Sequence, residues 1–204
     1  MRILLLLMTV VVFNTSHAAG VGVRAGTTGL GADFGWGIVP TLGGRVGISG
    51  MNFNADFETS DIDYDAKAKI ANLNGFLDWS PVGPFRITAG LVANNNKVDL
   101  TGQPRNASLP PGSSVTGTVK PEHSLTPYLG IGYGNVWTKG VNFYFDLGIM
   151  FQGTPKVDLN VNCTPSAQCT AAQNQVAAEE RRVQDELNKF KYYPVFNIGI
   201  TIGF

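Results

Sequence analysis

The chain has 204 residues, with 15 Lys and Arg against 15 Asp and Glu, so it lacks the basic excess of a nucleic-acid binder and no nucleic-acid partner is expected. Charged residues make up 15% of the chain, below the roughly 25% of an ordinary soluble domain, while 25 glycines and 12 phenylalanines are present. This composition excludes an evenly charged, water-facing surface and fits a β-protein of one or at most two domains, part of whose surface meets something other than water.

The first element is "MRILLLLMTVVVFNTSHAAG": a positive residue, an apolar run from Ile3 to Phe13, a polar stretch, then small residues at Ser16 and Ala18. That layout predicts a signal peptide over 1–18, cleaved after Ala18, with 19–204 as the mature domain. The apolar run is shorter than the roughly 20 residues of a spanning helix, which weighs against the competing reading, an uncleaved anchor. His17 leaves with the signal, so His123 is the one histidine of the mature chain.

From there on, apolar residues recur at every second position, which on a strand places them on one face. Strands are predicted near 20–27, 30–38, 44–57, 64–79, 85–100, 122–137, 141–158 and 192–204. They are joined by "TTG", the acidic "ETSDID", a loop around 101–121 and the long segment 159–191. In 30–38, Leu30, Ala32, Phe34, Trp36 and Ile38 oppose Gly31, Asp33, Gly35 and Gly37. In 44–57 the apolar parity moves from Val46 and Ile48 to Met51, Phe53 and Phe57, and a bulge near Ser49 and Gly50 is expected to absorb the shift. In the last strand Phe196, Ile198, Ile200, Ile202 and Phe204 share one face.

A soluble sandwich turns its apolar face inward and fills it with large side chains. Here the second face is glycine with a few polar and charged residues, a poor water-facing coat, so the polarity reads as inverted: apolar toward lipid, small and polar toward a lumen. A closed barrel is how strands cross a bilayer with every backbone group paired. The predicted fold is all-β, an eight-stranded antiparallel transmembrane β-barrel with one helix in its last long loop. Trp36, Trp79, Phe85, Trp137 and Phe204 lie beside short turns or at the chain end and are expected to form an interfacial aromatic girdle.

The predicted inward residues include Arg24, Asp33, Arg45, Arg86 and Asp146, with Phe76, Tyr128 and Tyr144. Buried charges must pair, so an Arg–Asp network filling the lumen is one reading. The many inward glycines support the other, a narrow polar passage or pocket for a small solute.

On the outer loops, Asp56, Glu58, Asp61, Asp63 and Asp65 form an acidic cluster without the Gly and terminal Glu of a calcium loop. A solvated loop is the favoured reading over a divalent-cation site. Lys67 and Lys69 stand on the lipid-facing parity and are candidates to meet lipopolysaccharide phosphates, with plain snorkelling as the alternative. Cys163 and Cys169 are the only cysteines, and in an exported chain they predict one small disulfide loop. No metal ligand set and no cofactor is expected. The segment 171–190 is rich in helix formers, carries Arg181–Asp185, Arg182–Glu186 and Asp185–Lys189 pairs four apart, and predicts the helix. His123 and Ser124 are adjacent and point to opposite faces of a strand, so catalysis is not expected.

Three stretches, "VRAG" at Val23 to Gly26, "TPYLGIGYG" at Thr126 to Gly134 and the terminal "NIGITIGF", resemble small outer-membrane barrel proteins of Gram-negative bacteria, nearest the OmpW-like group. The resemblance implies integral outer-membrane localisation, contact with outer-membrane lipid and lipopolysaccharide, and a last strand ending at Phe204 that is read by the barrel assembly machinery during insertion. The first outer loop is nearly absent here, so that family's hydrophobic-solute pathway is not carried over. Two functions are expected: a narrow channel or carrier for small solutes, or a non-conducting structural or adhesive surface barrel.

Overall fold

The computed structural model describes residues 18–58, 62–104, 114–163 and 167–204. The predicted signal peptide lies outside these residues, as do the side chains of Asp56, Glu58, Asp61 and Asp63 in the acidic cluster. The described elements are β1 (Ala19–Gly26), β2 (Gly29–Val39), β3 (Leu42–Glu58), β4 (Ile62–Val82), β5 (Phe85–Asn94), β6 (Lys97–Pro104), β7 (Ser114–Lys120), β8 (Leu125–Tyr133), β9 (Gly140–Met150), β10 (Lys156–Asn162), α1 (Ala167–Leu187) and β11 (Tyr193–Gly203).

Eight of the strands, β1, β2, β3, β4, β5, β8, β9 and β11, hydrogen-bond in that order into a closed antiparallel ring. The seam joins the two ends of the chain: β1 runs against β11 from Gly20↔Gly203 to Gly26↔Asn197. Beyond it the Phe204 amide donates to the Ala19 carbonyl at 2.8 Å. At the chain-terminus end β2–β3 and β4–β5 are joined by two-residue turns and β8–β9 by residues 134–139, after which Gly140 at φ +91° opens β9 in a conformation that a Cβ would strain. Gly29, at φ +88°, does the same for the β1–β2 turn at the opposite end.

The wall has the polarity of a membrane barrel. Val23, Leu30, Ile48, Leu73, Leu91, Leu129, Phe143 and Ile198 point outward and are all exposed, while Arg24, Asp33, Arg45, Asn74, Asp78, Arg86, Thr88 and Asp146 point inward and are buried. The terminal-strand set Phe196, Ile198, Ile200, Ile202 and Phe204 lies on the outer face, each 45–66% exposed. Among the described residues no helix is long and apolar enough to cross a membrane.

Several strands continue past the barrel. The predicted strand 85–100 is two segments, β5 and β6, interrupted at Asn95–Asn96, and both lie along the same edge of β4. The predicted strand 141–158 is likewise β9 and β10, and the predicted loop 101–121 contains β7, which precedes β8 across a break at 121–124. The predicted strand 122–137 is correspondingly shorter, because the chain turns away from the sheet after Tyr133. Upper β3 and β4 with β6, β7 and β10 form a sheet that rises above the ring on one side.

This extension explains the parity change in β3. No bulge occurs at Ser49 and Gly50: β3 and β4 stay in continuous register from Leu42↔Trp79 to Glu58↔Asp63. The surroundings change instead. Below the rim the outward side faces lipid and is apolar. Above it the outward side faces water and carries Asn52, Asn54, Lys67, Asp99, Thr118 and Asp158, while the lumen-side parity carries Met51, Ala66, Ala68, Val98, Leu100, Val115 and Val157.

Helix α1, predicted over 171–190, occupies Ala167–Leu187 on the same side as this extension, away from the chain termini. It closes the free edge of β10: the Gln184 side-chain oxygen accepts from the Val157 amide at 3.2 Å, and Glu180 Oε2 accepts from the Leu159 amide at 3.3 Å. The Cys163–Cys169 disulfide, with Cα atoms 6.0 Å apart, ties the end of β10 to the first turn of the helix.

Candidate functional site

An eight-stranded barrel encloses space just sufficient for side chains. Six charged side chains occupy its middle. Arg45 is fully buried and donates to both carboxylates that face it: Nε to Asp78 Oδ2 at 2.9 Å, Nη1 to Asp146 Oδ2 at 2.8 Å and Nη2 to Asp146 Oδ1 at 3.1 Å. Arg86 binds the same two, lying 3.3 Å from Asp78 and hydrogen-bonded to Asp146 and to the Gly134 carbonyl. Thr88 completes this group by donating to Asp78 Oδ1 at 2.5 Å. Beside it, Arg24 pairs with Asp33 and donates to Asn74 Oδ1 at 2.7 Å, and the Tyr144 hydroxyl donates to Asp33 Oδ2 at 2.5 Å.

Three arginines therefore meet three aspartates, and the layer is neutral. The planar guanidinium fork suits this bridging, because each group offers several donors in fixed directions. Aromatic rings fill between the charges: Arg45 lies 5.0 Å from the centroid of Phe76 and 5.7 Å from that of Tyr144, and Arg86 lies 5.7 Å from Tyr144.

The inward glycines are what make room for these groups. A Cβ at Gly130 or Gly148 would run into the Tyr128 hydroxyl, one at Gly199 into the Tyr144 ring, one at Gly47 into Asp33, and one at Gly132 would come within 2.8 Å of Arg86 Nη2. The glycine-lined face is thus the footprint of large side chains lying over it from the same or the adjacent strand. Glycine abundance in the sequence does not translate into open space.

Of the residues predicted to point inward, Arg24, Asp33, Arg45, Arg86, Asp146, Tyr128 and Tyr144 do so and are at most 5% exposed, and Phe76 is partly buried among them. Asp78, the third carboxylate of the layer, was not among the sequence-selected residues, although it shares parity with Phe76 on the same strand. Of the predicted girdle, Trp79, Phe85 and Phe204 are exposed on the outer wall, and Trp36 is half-buried against Phe34, 5.8 Å away. Trp137 is not part of it. It is 7% exposed, and its indole packs into the barrel end over Gly37 and Gly43, beside Val136. The girdle assignment of Trp137 rested on its place beside a short turn, but the chain leaves the sheet after Tyr133 and turns this residue inward instead of along the outer wall.

On the outer side of the charged layer lies a cavity of about 20 Å³, room for one water. Val92, Tyr128, Met150 and Val195 form its apolar wall, and Arg24, Ser49, Asn72 and Asn74 its polar one. Among the described residues, five buried polar atoms of that wall have no protein partner: Arg24 Nε, Ser49 Oγ, Asn74 Nδ2 and both amide atoms of Asn72.

Lys67 and Lys69 are exposed on the outward side of β4. His123 is exposed at the rim, 3.9 Å from Glu122, and Ser124 offers its backbone carbonyl to the Asn94 amide.

No protein-family model matches the chain, and no curated protein does. Solved structures do. The chain is similar to Acinetobacter baumannii CarO2, at 22% identity over 92% of this chain and 98% of that one, with a TM-score of 0.61. It is similar also to Acinetobacter baumannii CarO, at 21% identity over 91% and 97% respectively, with a TM-score of 0.62. At these identities the likeness is one of fold, an eight-stranded outer-membrane barrel.

Proposed function

We propose that the protein is an integral barrel of a Gram-negative outer membrane, held closed by its lumen network, that acts through the sheet and helix it raises above the membrane. The observation that carries this reading is the bridging of Asp78 and Asp146 by both Arg45 and Arg86, every one of these side chains at most 3% exposed. A hydrated ion passing that level would have to break several charge-assisted bonds at once. The test is single-channel recording of refolded protein in a planar bilayer, beside a variant lacking 171–190. Silence in both supports the surface role, and reproducible steps in either refute it.

The small-solute reading keeps one observation in its favour, the cavity ringed by unpartnered polar atoms outside the charged layer. On that reading the cavity is a waystation for a small polar solute, and Asn72→Leu would abolish uptake in vesicles while leaving the barrel folded.

Export by a cleaved signal peptide and recognition of the Phe196-to-Phe204 strand by the barrel assembly machinery belong to the same proposal. Their support is the sequence pattern and the outward, unbroken apolar face of β11. The OmpW-like assignment rests on the short motifs alone. No catalytic role is proposed.

A further inference from the structure

The outward face of the extension carries a row of lysines. Lys69 on β4 stands directly opposite Lys97 on β6, and Lys120 on β7 directly opposite Lys156 on β10. The β6–β7 register, Val98↔Val119 and Asp99↔Thr118, joins the two pairs into one line across four neighbouring strands. At the usual strand spacing of about 4.8 Å the line is roughly 15 Å long. Like charges placed directly across a strand pair destabilise it, so folding gives no reason for the arrangement. Lys97 lies 2.8 Å from Asp99, and among the described residues Lys69, Lys120 and Lys156 have no carboxylate within ion-pair distance.

The charges are sorted by depth. On each of the four strands the lysine is the charged residue nearest the barrel, and the carboxylates on that face, Asp65, Asp99 and Asp158, stand one or two steps farther from it. Just below the row Glu122 accepts from the Thr154 amide at 3.0 Å beside the exposed His123, and beneath that level the same face is apolar. Lys69 stands four residues above Leu73, Lys97 six above Leu91, Lys120 five before Leu125 and Lys156 five after Phe151, all four apolar residues being exposed to lipid. With strands tilted by about 40°, the four-residue step along unbroken β4 places Lys69 about 10 Å above Leu73, and the strand register holds Lys97, Lys120 and Lys156 in line with it. From there their flexible stems reach down to the headgroup layer.

We infer that Lys69, Lys97, Lys120 and Lys156 form a docking site for the phosphate groups of a phosphorylated lipid of the surrounding leaflet. An occupant of that site must stand in the membrane and present its anionic group just outside the apolar belt, which a lipid phosphate does and a soluble anion does not. The lysines supply charge without a fixed fork, which suits phosphates that move with the lipid. The row thereby fixes the height of the barrel and gathers anionic lipid along the side beneath the extension. The inference rests on the barrel crossing a membrane.

The test uses the full mature chain folded in detergent, with lipid retention read by native mass spectrometry and folding checked by heat-dependent gel mobility. The probes are phosphorylated lipid A, the same lipid with its phosphates removed, and inorganic phosphate. The variants are K69Q/K97Q/K120Q/K156Q and a control, K139Q/K189Q/K191Q. At about fivefold per lysine, the fourfold variant should bind phosphorylated lipid A upward of about a hundredfold more weakly, while the control matches wild type. Dephosphorylated lipid should bind all three proteins equally and weakly. Equal retention of phosphorylated lipid by the fourfold variant overturns the inference, as does wild type holding both lipids equally. Displacement by inorganic phosphate at the lipid's own concentration overturns it in favour of a free-phosphate site. Failure of either lipid to bind any variant contradicts the membrane-spanning reading itself, a result distinct from failure of the lysine row.

Discussion

Asp146 is the carboxylate on which the closed lumen depends most. It accepts two hydrogen bonds from Arg45, at 2.8 and 3.1 Å, and a further bond from Arg86. Replacing it by Asn keeps the volume, removes the charge and leaves two buried guanidiniums sharing Asp78, so the neutral layer becomes cationic. Breaking a buried ion pair from one side costs about 3–5 kcal/mol, because the stranded charge keeps its desolvation penalty. In urea, with a slope of about 1–3 kcal/mol per molar, the unfolding midpoint should fall by about 2 M. Arg86→Met combined with Asp146→Leu removes one charge of each sign and restores neutrality, so it should recover much of that loss. The assay is urea unfolding of the lipid-reconstituted barrel followed by tryptophan fluorescence. An Asp146→Asn barrel as stable as wild type, or a neutral double variant less stable than Asp146→Asn, would refute the view that charge balance within the layer governs stability.

Tyr144→Phe removes the hydroxyl that donates to Asp33 at 2.5 Å and should cost about 1.5–3 kcal/mol in the same unfolding assay. Gly130→Val places a side chain against the Tyr128 hydroxyl and should cost about 1–3 kcal/mol by overpacking, whereas a glycine replaced beside truly open lumen would cost nothing. Reducing the Cys163–Cys169 disulfide opens a short loop worth about 2 kcal/mol, so amide exchange should accelerate across 156–187 and stay unchanged in the barrel strands. The hydrogen bond from Lys97, with a second from Thr118, holds the Asp99 carboxyl below its ordinary range. Its small contribution to the extension is therefore present above the unfolded carboxylate pKa and lost as pH falls through the lower folded value. An NMR titration should show Asp99 rising toward the ordinary value in Lys97→Gln.

The barrel was legible in the sequence because alternation is a direct record of two environments. Leu30 to Ile38 and Phe196 to Phe204 could be assigned to lipid and lumen without any structure. The lumen charges followed from the same parity, and Asp78 escaped selection only through the choice of residues, since Phe76 on the same face was picked. Two other features were not legible. Met51 and Phe53 break the parity of β3 because the strand passes from lipid into water while its hydrogen bonding continues unbroken, and a sequence pattern cannot separate a change of surroundings from a bulge. The inward glycines looked like space, but whether a missing side chain leaves a gap depends on what reaches across from other strands. Tyr144 stands directly opposite Gly199, Arg86 directly opposite Gly132, and Tyr128 one step diagonally from Gly148, so the strand register, which the sequence pattern alone does not reveal, sets each large side chain over its glycine. Trp137 misled for a different reason: a place beside a turn does not say whether a side chain that has left the sheet points outward or into the barrel end.

The central claim is that this lumen is closed by paired charge. Single-channel recording of the refolded wild-type barrel, with folding verified in the same sample, tests it most directly. The account predicts no conductance steps in wild type and their appearance when Arg45 and Asp78 are both replaced by Ala, a change that preserves net charge while leaving Arg86–Asp146 as the remaining ion pair of that group. Reproducible steps from wild type, unaltered by that double replacement, would contradict it.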